Sequence, residues 1–239
     1  MFHTLFYEPI YNLLVLVLTY VPLHDIGTAV VVVTLIVKAL LLPLQLSGLR
    51  SQYIMKRLEG EMNKIKEEQK TNPQEAGRKM MELYKREKIN PFASIFSLII
   101  QIPVIFALYK VFSKGFVADP ASLYSFLTFP ENLHTLAFGL FDVTQKNIGI
   151  AVIAGVTSYL LARRQTASMV STKQPHEETF QDQFMKSMRV QLLYILPVMM
   201  GFFAAVLPSA IGLYWIVSNG VGYAQDMYTK KKLAHLQNA

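Results

Sequence analysis

Cysteine is absent from the 239 residues, which excludes disulfides, thiolate chemistry and a cysteine-linked lipid anchor. Histidine is scarce and scattered: His3, His24, His134, His176 and His235 fall in separate loops and ends, so no metal-ligating spacing exists. There is no HExxH, no GxSxG and no phosphate-binding glycine loop. The chain therefore reads as something other than an enzyme, with no cofactor implied. Carboxylates are missing from the apolar runs apart from Asp226 at the end of the last one. That weakens ion-coupled transport, which relies on acidic relays at membrane depth. The start of the chain has no basic region ahead of its apolar stretch and no small-residue cleavage site, so a cleavable signal or transit peptide is not expected.

What is present is apolar sequence in long runs. Hydrophobic residues make up 52% of the chain and the mean hydropathy is +0.32. The runs 26–47, 91–112, 147–162, 190–207 and 209–225 have the length and composition of spanning segments, the third being the shortest. The reading is an all-α polytopic membrane protein with five transmembrane helices. Pro43, Pro103 and Pro197 lie inside these runs, where a proline frees a carbonyl for a neighbour or water to satisfy. Residues 10–21 are apolar but short for a crossing. Segment 1–25 is therefore read as an outer interfacial helix with its lead-in.

Charge sets the orientation. Of the 23 Lys and Arg residues, nineteen fall in 48–90, 163–189 and the tail 226–239. The alternate loop 113–146 holds only Lys114 and Lys146, and Lys38 and Lys110 sit inside the runs. The basic side is cytoplasmic by the positive-inside rule, which places the N-terminus outside and the C-terminus inside. The first cytoplasmic loop mixes its bases with Glu59, Glu61, Glu67, Glu68, Glu75, Glu82 and Glu87. Attraction to anionic lipid accounts for the net charge of +7 better than specific nucleic-acid recognition does. Within 48–90, Leu49, Tyr53, Met62, Ile65, Met80, Met81, Leu83 and Tyr84 recur at helical steps around Thr71-Asn72-Pro73. This predicts a cytoplasmic helical hairpin rich in i,i+4 charge pairs.

Lys38 is the residue that composition does not explain. It lies about twelve residues into the first run, roughly 18 Å below its outer end at 1.5 Å per residue. A charge near bilayer centre costs about 2.5–3.5 kcal/mol, so this one is expected to face protein or water. Thr34 lies one turn above Lys38 and Gln45 two turns below; Ser94, Ser97 and Gln101 form a polar stripe on the second run. Thr157 and Ser158 on the third and Tyr214, Trp215, Ser218 and Asn219 on the fifth complete the set. Taken singly such residues are more often hydrogen-bond glue between helices. Taken with an unpaired lysine they suggest a hydrophilic groove open to the cytoplasm.

Three blocks carry a resemblance: TLIVKALLLPLQ (34–45), ELYKREKINPF (82–92) leading to LIIQIPVIFALYKVF (98–112), and LPVMMGFFAAVLPSAIGLYWIVSNGVGYAQ (196–225). In this order and spacing the chain resembles the YidC/Oxa/Alb family of membrane-protein insertases, in a minimal bacterial form. The resemblance implies a groove within the bilayer, closed outside, whose basic residue is Lys38 where bacterial members usually carry arginine. It implies a multi-pass protein of the bacterial cytoplasmic membrane that moves nascent hydrophobic segments into lipid without ATP. Nascent membrane-protein segments and anionic lipids are the expected partners, with the ribosome and a Sec translocon as further candidates. A small polytopic transporter or channel is the alternative, although no internal repeat supports it.

Overall fold

The computed structural model describes residues 1–21, 24–69, 72–90, 93–113, 116–167 and 187–235, and at 66, 69, 93–98, 234 and 235 it describes the backbone alone. The chain is largely helical. A π-helical turn, His3–Tyr7, runs into α1 (Glu8–Tyr20). There follow α2 (Ile26–Arg57), α3 (Glu59–Gln69), α4 (Pro73–Arg86) and α5 (Ala93–Phe112). A short antiparallel hairpin, β1 (Leu136–Ala137) with β2 (Phe141–Asp142), precedes α6 (Ile148–Ala167). The last two helices are α7 (Ser187–Val206), π-helical over Gln191–Ile195, and α8 (Ser209–His235). Among the described residues, α2 and α7 are each long and apolar enough to cross a bilayer by themselves.

Local chemistry sets the helix starts. Asp25 caps α2 by accepting from the amide of Gly27 at 2.8 Å and the hydroxyl of Thr28 at 2.7 Å. Asn72 caps α4 by accepting from the Glu75 amide at 3.2 Å, and Pro73 takes the first position, where no amide is needed. Asn147 accepts from the Ile150 amide at 3.1 Å and opens α6. The first amides of α8 are satisfied from the preceding loop: Ser209 donates to the Gln145 carbonyl at 2.8 Å and Ala210 to the Val143 carbonyl at 2.9 Å. Three helices outrun the apolar sequence that nucleates them. α2 continues to Arg57, α6 to Ala167 and α8 to His235, because no proline or helix-ending turn follows the apolar run.

The main core lies at one end of the bundle. It joins Tyr11, Leu14, Val15 and Leu18 of α1 to Ile26–Val33 of α2, Val104–Phe112 of α5 and Ala210–Trp215 of α8. Segment 116–143 covers it through Phe116, Ala137 and Val143. Helix α1 is therefore docked by a buried face. Its Asn12, 2% exposed, donates to the Ser122 carbonyl at 2.7 Å and accepts from the Tyr124 amide at 2.7 Å. At the far end, α3 and α4 pair through a small cluster of Ile65, Ala76 and Leu83. Exposed ion pairs such as Arg86–Glu61 at 2.9 Å add little, because water screens them.

Gly27 allows the cap to close. A Cβ there would lie 2.2 Å from the Ala137 Cβ and 2.7 Å from its Cα, so the hairpin backbone would have to move. Gly27→Ala is expected to cost about 1–3 kcal/mol, read as a lower melting midpoint in detergent. Gly60→Ala, in open space on α3, should instead raise the midpoint slightly by removing helix-interior glycine.

Candidate functional site

The polar residues anticipated on the spanning runs separate into two kinds. The first kind is matched, donor to acceptor. Asn219 on α8 donates through Nδ2 to Ser158 Oγ at 2.8 Å and to Thr157 Oγ1 at 3.2 Å on α6. Ser158 in turn donates to the Ala154 carbonyl at 2.7 Å and Thr157 to that of Ile153 at 2.9 Å. Gln101 on α5 donates to the Tyr214 hydroxyl on α8. Thr34, 1% exposed, returns its hydroxyl to the Val30 carbonyl at 2.6 Å. These are bonds within and between helices, and they hold α5 and α6 to α8. Ser218 is buried on the same helix. The side chain of Ser97 lies outside the described residues.

The second kind is unmatched. No hydrogen bond or ion pair reaches Lys38 among the described residues. Trp215 is buried with its Nε1 donor unpartnered, and the Gln45 Oε1 acceptor is likewise buried and unpartnered. Pro43 adds to this set, because a proline in a helix leaves the carbonyl four residues earlier, here Ala39, without its usual donor. Each unsatisfied group of this kind costs about 1–3 kcal/mol unless something polar meets it.

Burial along α2 shows where these groups are. The helix is buried at Ile26, Gly27, Ala29, Val30, Val33 and Thr34, and again at Gly48, Leu49, Ser51 and Ile54. Between them, residues 35–47 include no fully buried position, and Lys38 is half-buried within that stretch. Helix α2 is thus fully buried only towards its two ends and partly buried or exposed between them, with Val37 still touching the main core.

The second packed end rests on charge. Arg164 of α6 donates through Nε to Asp226 of α8 at 2.8 Å, and the Tyr53 hydroxyl of α2 donates to the same carboxylate at 2.9 Å. Arg164 also lies 4.5 Å over the Tyr223 ring. Lys56 donates to the Ala167 carbonyl at 2.9 Å and ties the ends of α2 and α6. Burial and then the bond to Asp226 push the Tyr53 phenol well above the ordinary tyrosine value, so it stays a donor at any working pH. The hydrogen bond to Asp226 raises the Arg164 guanidinium still further. Arg164 falls in the expected loop 163–189, so its pairing with Asp226 was not anticipated. The available signal was that both lie just past the ends of apolar runs on the same side.

Helices α6 and α7 approach through Gly155 and Gly201, where a Cβ on either would meet the other's Cα at 3.4–3.5 Å. Beside that contact is an apolar groove of about 430 Å³ with Tyr159, Tyr194 and Phe202 on its walls. It does not include Lys38.

Comparison with known proteins gives a consistent picture. The family model described as "60Kd inner membrane protein" matches residues 18–236. The membrane protein insertase YidC of Fusobacterium nucleatum subsp. nucleatum is 29% identical over 209 residues, covering 87% of each chain. That of Clostridium tetani is 30% identical over 210 residues, covering 88% of this chain and 84% of the relative. That of Pelobacter propionicus is 30% identical over 209 residues, which is 86% of this chain but 35% of a longer protein.

The charged cluster is open to test by stability. Tyr53→Phe should cost about 1 kcal/mol and Asp226→Asn about 1.5–3 kcal/mol. The two are expected to be less than additive, since both act on one carboxylate. Detergent melting of the single and double variants measures this.

Proposed function

Because the chain belongs to the 60Kd inner membrane protein family, that of the YidC membrane protein insertases, we propose that it moves hydrophobic segments of nascent proteins from the cytoplasm into the bacterial inner membrane through a groove centred on Lys38. The observation that carries the groove is the middle of α2, nowhere fully buried, with an unpartnered cation between two packed ends. In this reading α2, α5, α6, α7 and α8 span the membrane, with the N-terminus outside and the C-terminus inside. The core of α1 and segment 116–143 closes the outer end, and α3 and α4 project into the cytoplasm to meet the arriving client. The groove residues are Lys38, Thr34, Ser97, Gln101, Thr157, Ser158, Tyr214, Trp215, Ser218 and Asn219. The bonds described support a narrower division within them: Lys38 facing the client, and the bonded residues holding the walls.

The energetics need no nucleotide. A leucine entering lipid gains about 0.3–0.6 kcal/mol, whereas a charged residue crossing the centre costs about 2.5–3.5 kcal/mol. A client of some twenty apolar residues is therefore driven in by its own helix, and the barrier is its short polar tail. The wet middle of α2 shortens the low-dielectric path that this tail crosses. Lys38 attracts acidic residues in the tail, and the Ala39 carbonyl that Pro43 frees accepts from its backbone amides. The ribosome, a Sec translocon and anionic lipids at the basic face are the further partners proposed.

Two charges about 8 Å apart at an effective dielectric constant of about 20 attract by roughly 2 kcal/mol, a factor of about 30. In a depletion–complementation assay with a single-span client bearing an acidic N-tail, Lys38→Arg should retain insertion and Lys38→Ala should lose about tenfold or more of its rate. A client with an uncharged tail should be affected far less. Equal insertion of the acidic client by Lys38→Ala would refute the attraction role. Solute flux through liposomes in the absence of insertion would replace this reading with a transporter.

A further inference from the structure

The β1–β2 hairpin has a base and a tip of opposite character. Its base is locked into the protein. Ala137 is fully buried against Gly27 at the start of α2. The amide of Phe138 donates to Asp25 Oδ2 at 3.2 Å, and Ser209 at the start of α8 donates through Oγ to the Asp142 carbonyl at 2.7 Å. The hairpin therefore sits across the ends of α2 and α8 at once.

Its tip is apolar and bare. Phe138 is 53% exposed, Leu140 80% and Leu136 53%. No Lys, Arg, Asp or Glu occurs from 132 to 141. The turn closes with the Leu140 amide on the Ala137 carbonyl at 2.8 Å, and both central residues have positive φ, 53° at Phe138 and 70° at Gly139. Turns of this primed type favour Asn or Gly at the first of these positions, and a bulky residue there is strained. Local folding thus disfavours Phe138, and an aqueous surface disfavours it again. A chain that keeps phenylalanine at that position under both penalties uses it for contact with something apolar.

We propose that Phe138 and Leu140 insert into the outer leaflet of the lipid bilayer, anchoring the hairpin over the closed end of the bundle. The occupant follows from place and continuity. The tip lies at the level where α2, α6 and α8 begin, and α6 starts there with Ile148, which is 75% exposed, followed by exposed Val152, Ile153 and Val156. The apolar tip extends that exposed apolar face rather than standing apart from it, as aromatic residues do at a membrane–water boundary. This rests on the proposed orientation, in which those helix ends face outward.

The absence of cysteine makes a single introduced cysteine a unique probe. Spin labels are placed one at a time at Phe138→Cys, Leu140→Cys, Glu131→Cys on the exposed part of the same loop, and Val198→Cys on an exposed face of α7, in full-length protein in phospholipid liposomes. The ratio of collisions with oxygen to collisions with a water-soluble nickel chelate reports lipid against water. The expected ratio at 138 and 140 is several-fold above that at 131 and approaches that at 198. Phe138→Asn, which suits the turn, should keep the fold and lower the ratio at a 140 label at least twofold. Ratios at 138 and 140 equal to that at 131, with 198 still lipid-like, overturn the anchor while leaving the spanning helices intact. A water-like ratio at 198 overturns the orientation, and the anchor with it. Protection of 138 and 140 from both reagents places a protein on the tip and also overturns the anchor.

Discussion

A cation twelve residues into an apolar helix costs about 2.5–3.5 kcal/mol at bilayer centre if it meets lipid, and more if protein buries it without a counter-charge. Lys38 has no counter-charge among the described residues, so neither a lipid face nor a packed face suits it. The remaining solution is a helix gripped at both ends and released between them. Helix α2 has this form, with full burial at positions up to Thr34 and again from Gly48, and at most partial burial over 35–47. Most of the fold serves those two grips.

The grips use different physics. The first is hydrophobic, built from α1, α5, α8 and the covering segment, and stitched by Asn12 and Asp25 to loop amides. Apolar packing of this kind excludes water and is suited to a closed end. The second is a single carboxylate, Asp226, holding Arg164 and Tyr53 from two other helices. Charge-assisted bonds are directional and need little apolar area. A bundle held by packing at one end and by charge at the other can be dry at the first and wet at the second without a change of fold, which is what the proposed orientation requires.

Much of this was legible in the sequence because it is local. Long apolar runs, the alternation of basic loops, the Asn72-Pro73 break and the isolated Lys38 each depend on residues near one another in the chain. What was not legible depends on which helices touch. Thr157, Ser158 and Asn219 could be read as helix glue or, together with Lys38, as groove lining, and only the proximity of α6 and α8 makes them partners. The Arg164–Asp226 pair was hidden for the same reason, with the added error of ending helices where the apolar sequence ends. Backbone hydrogen bonding carries α6 past Arg164 and α8 past Asp226, and that continuation brings the two side chains together. The positive φ of Phe138 was equally hidden, since nothing in Ala-Phe-Gly-Leu fixes a primed turn without the strands on either side.

The division of polar residues into matched and unmatched bears on turnover. The matched set spends its hydrogen-bonding capacity inside the protein and adds rigidity without affinity. The unmatched set is a cation on the stretch of α2 that is nowhere fully buried, the carbonyl that Pro43 releases beside it, and buried atoms of Gln45, Trp215 and Thr229. Only the first two are placed to meet a group from outside the protein; each buried atom costs about 1–3 kcal/mol that a polar contact inside the bundle would relieve. In the proposed reading a few open groups around one charge on an otherwise apolar helix lower the barrier for a polar tail. Lipid stays the more favourable destination for the apolar segment that follows, because the charge that eases the tail offers that segment nothing.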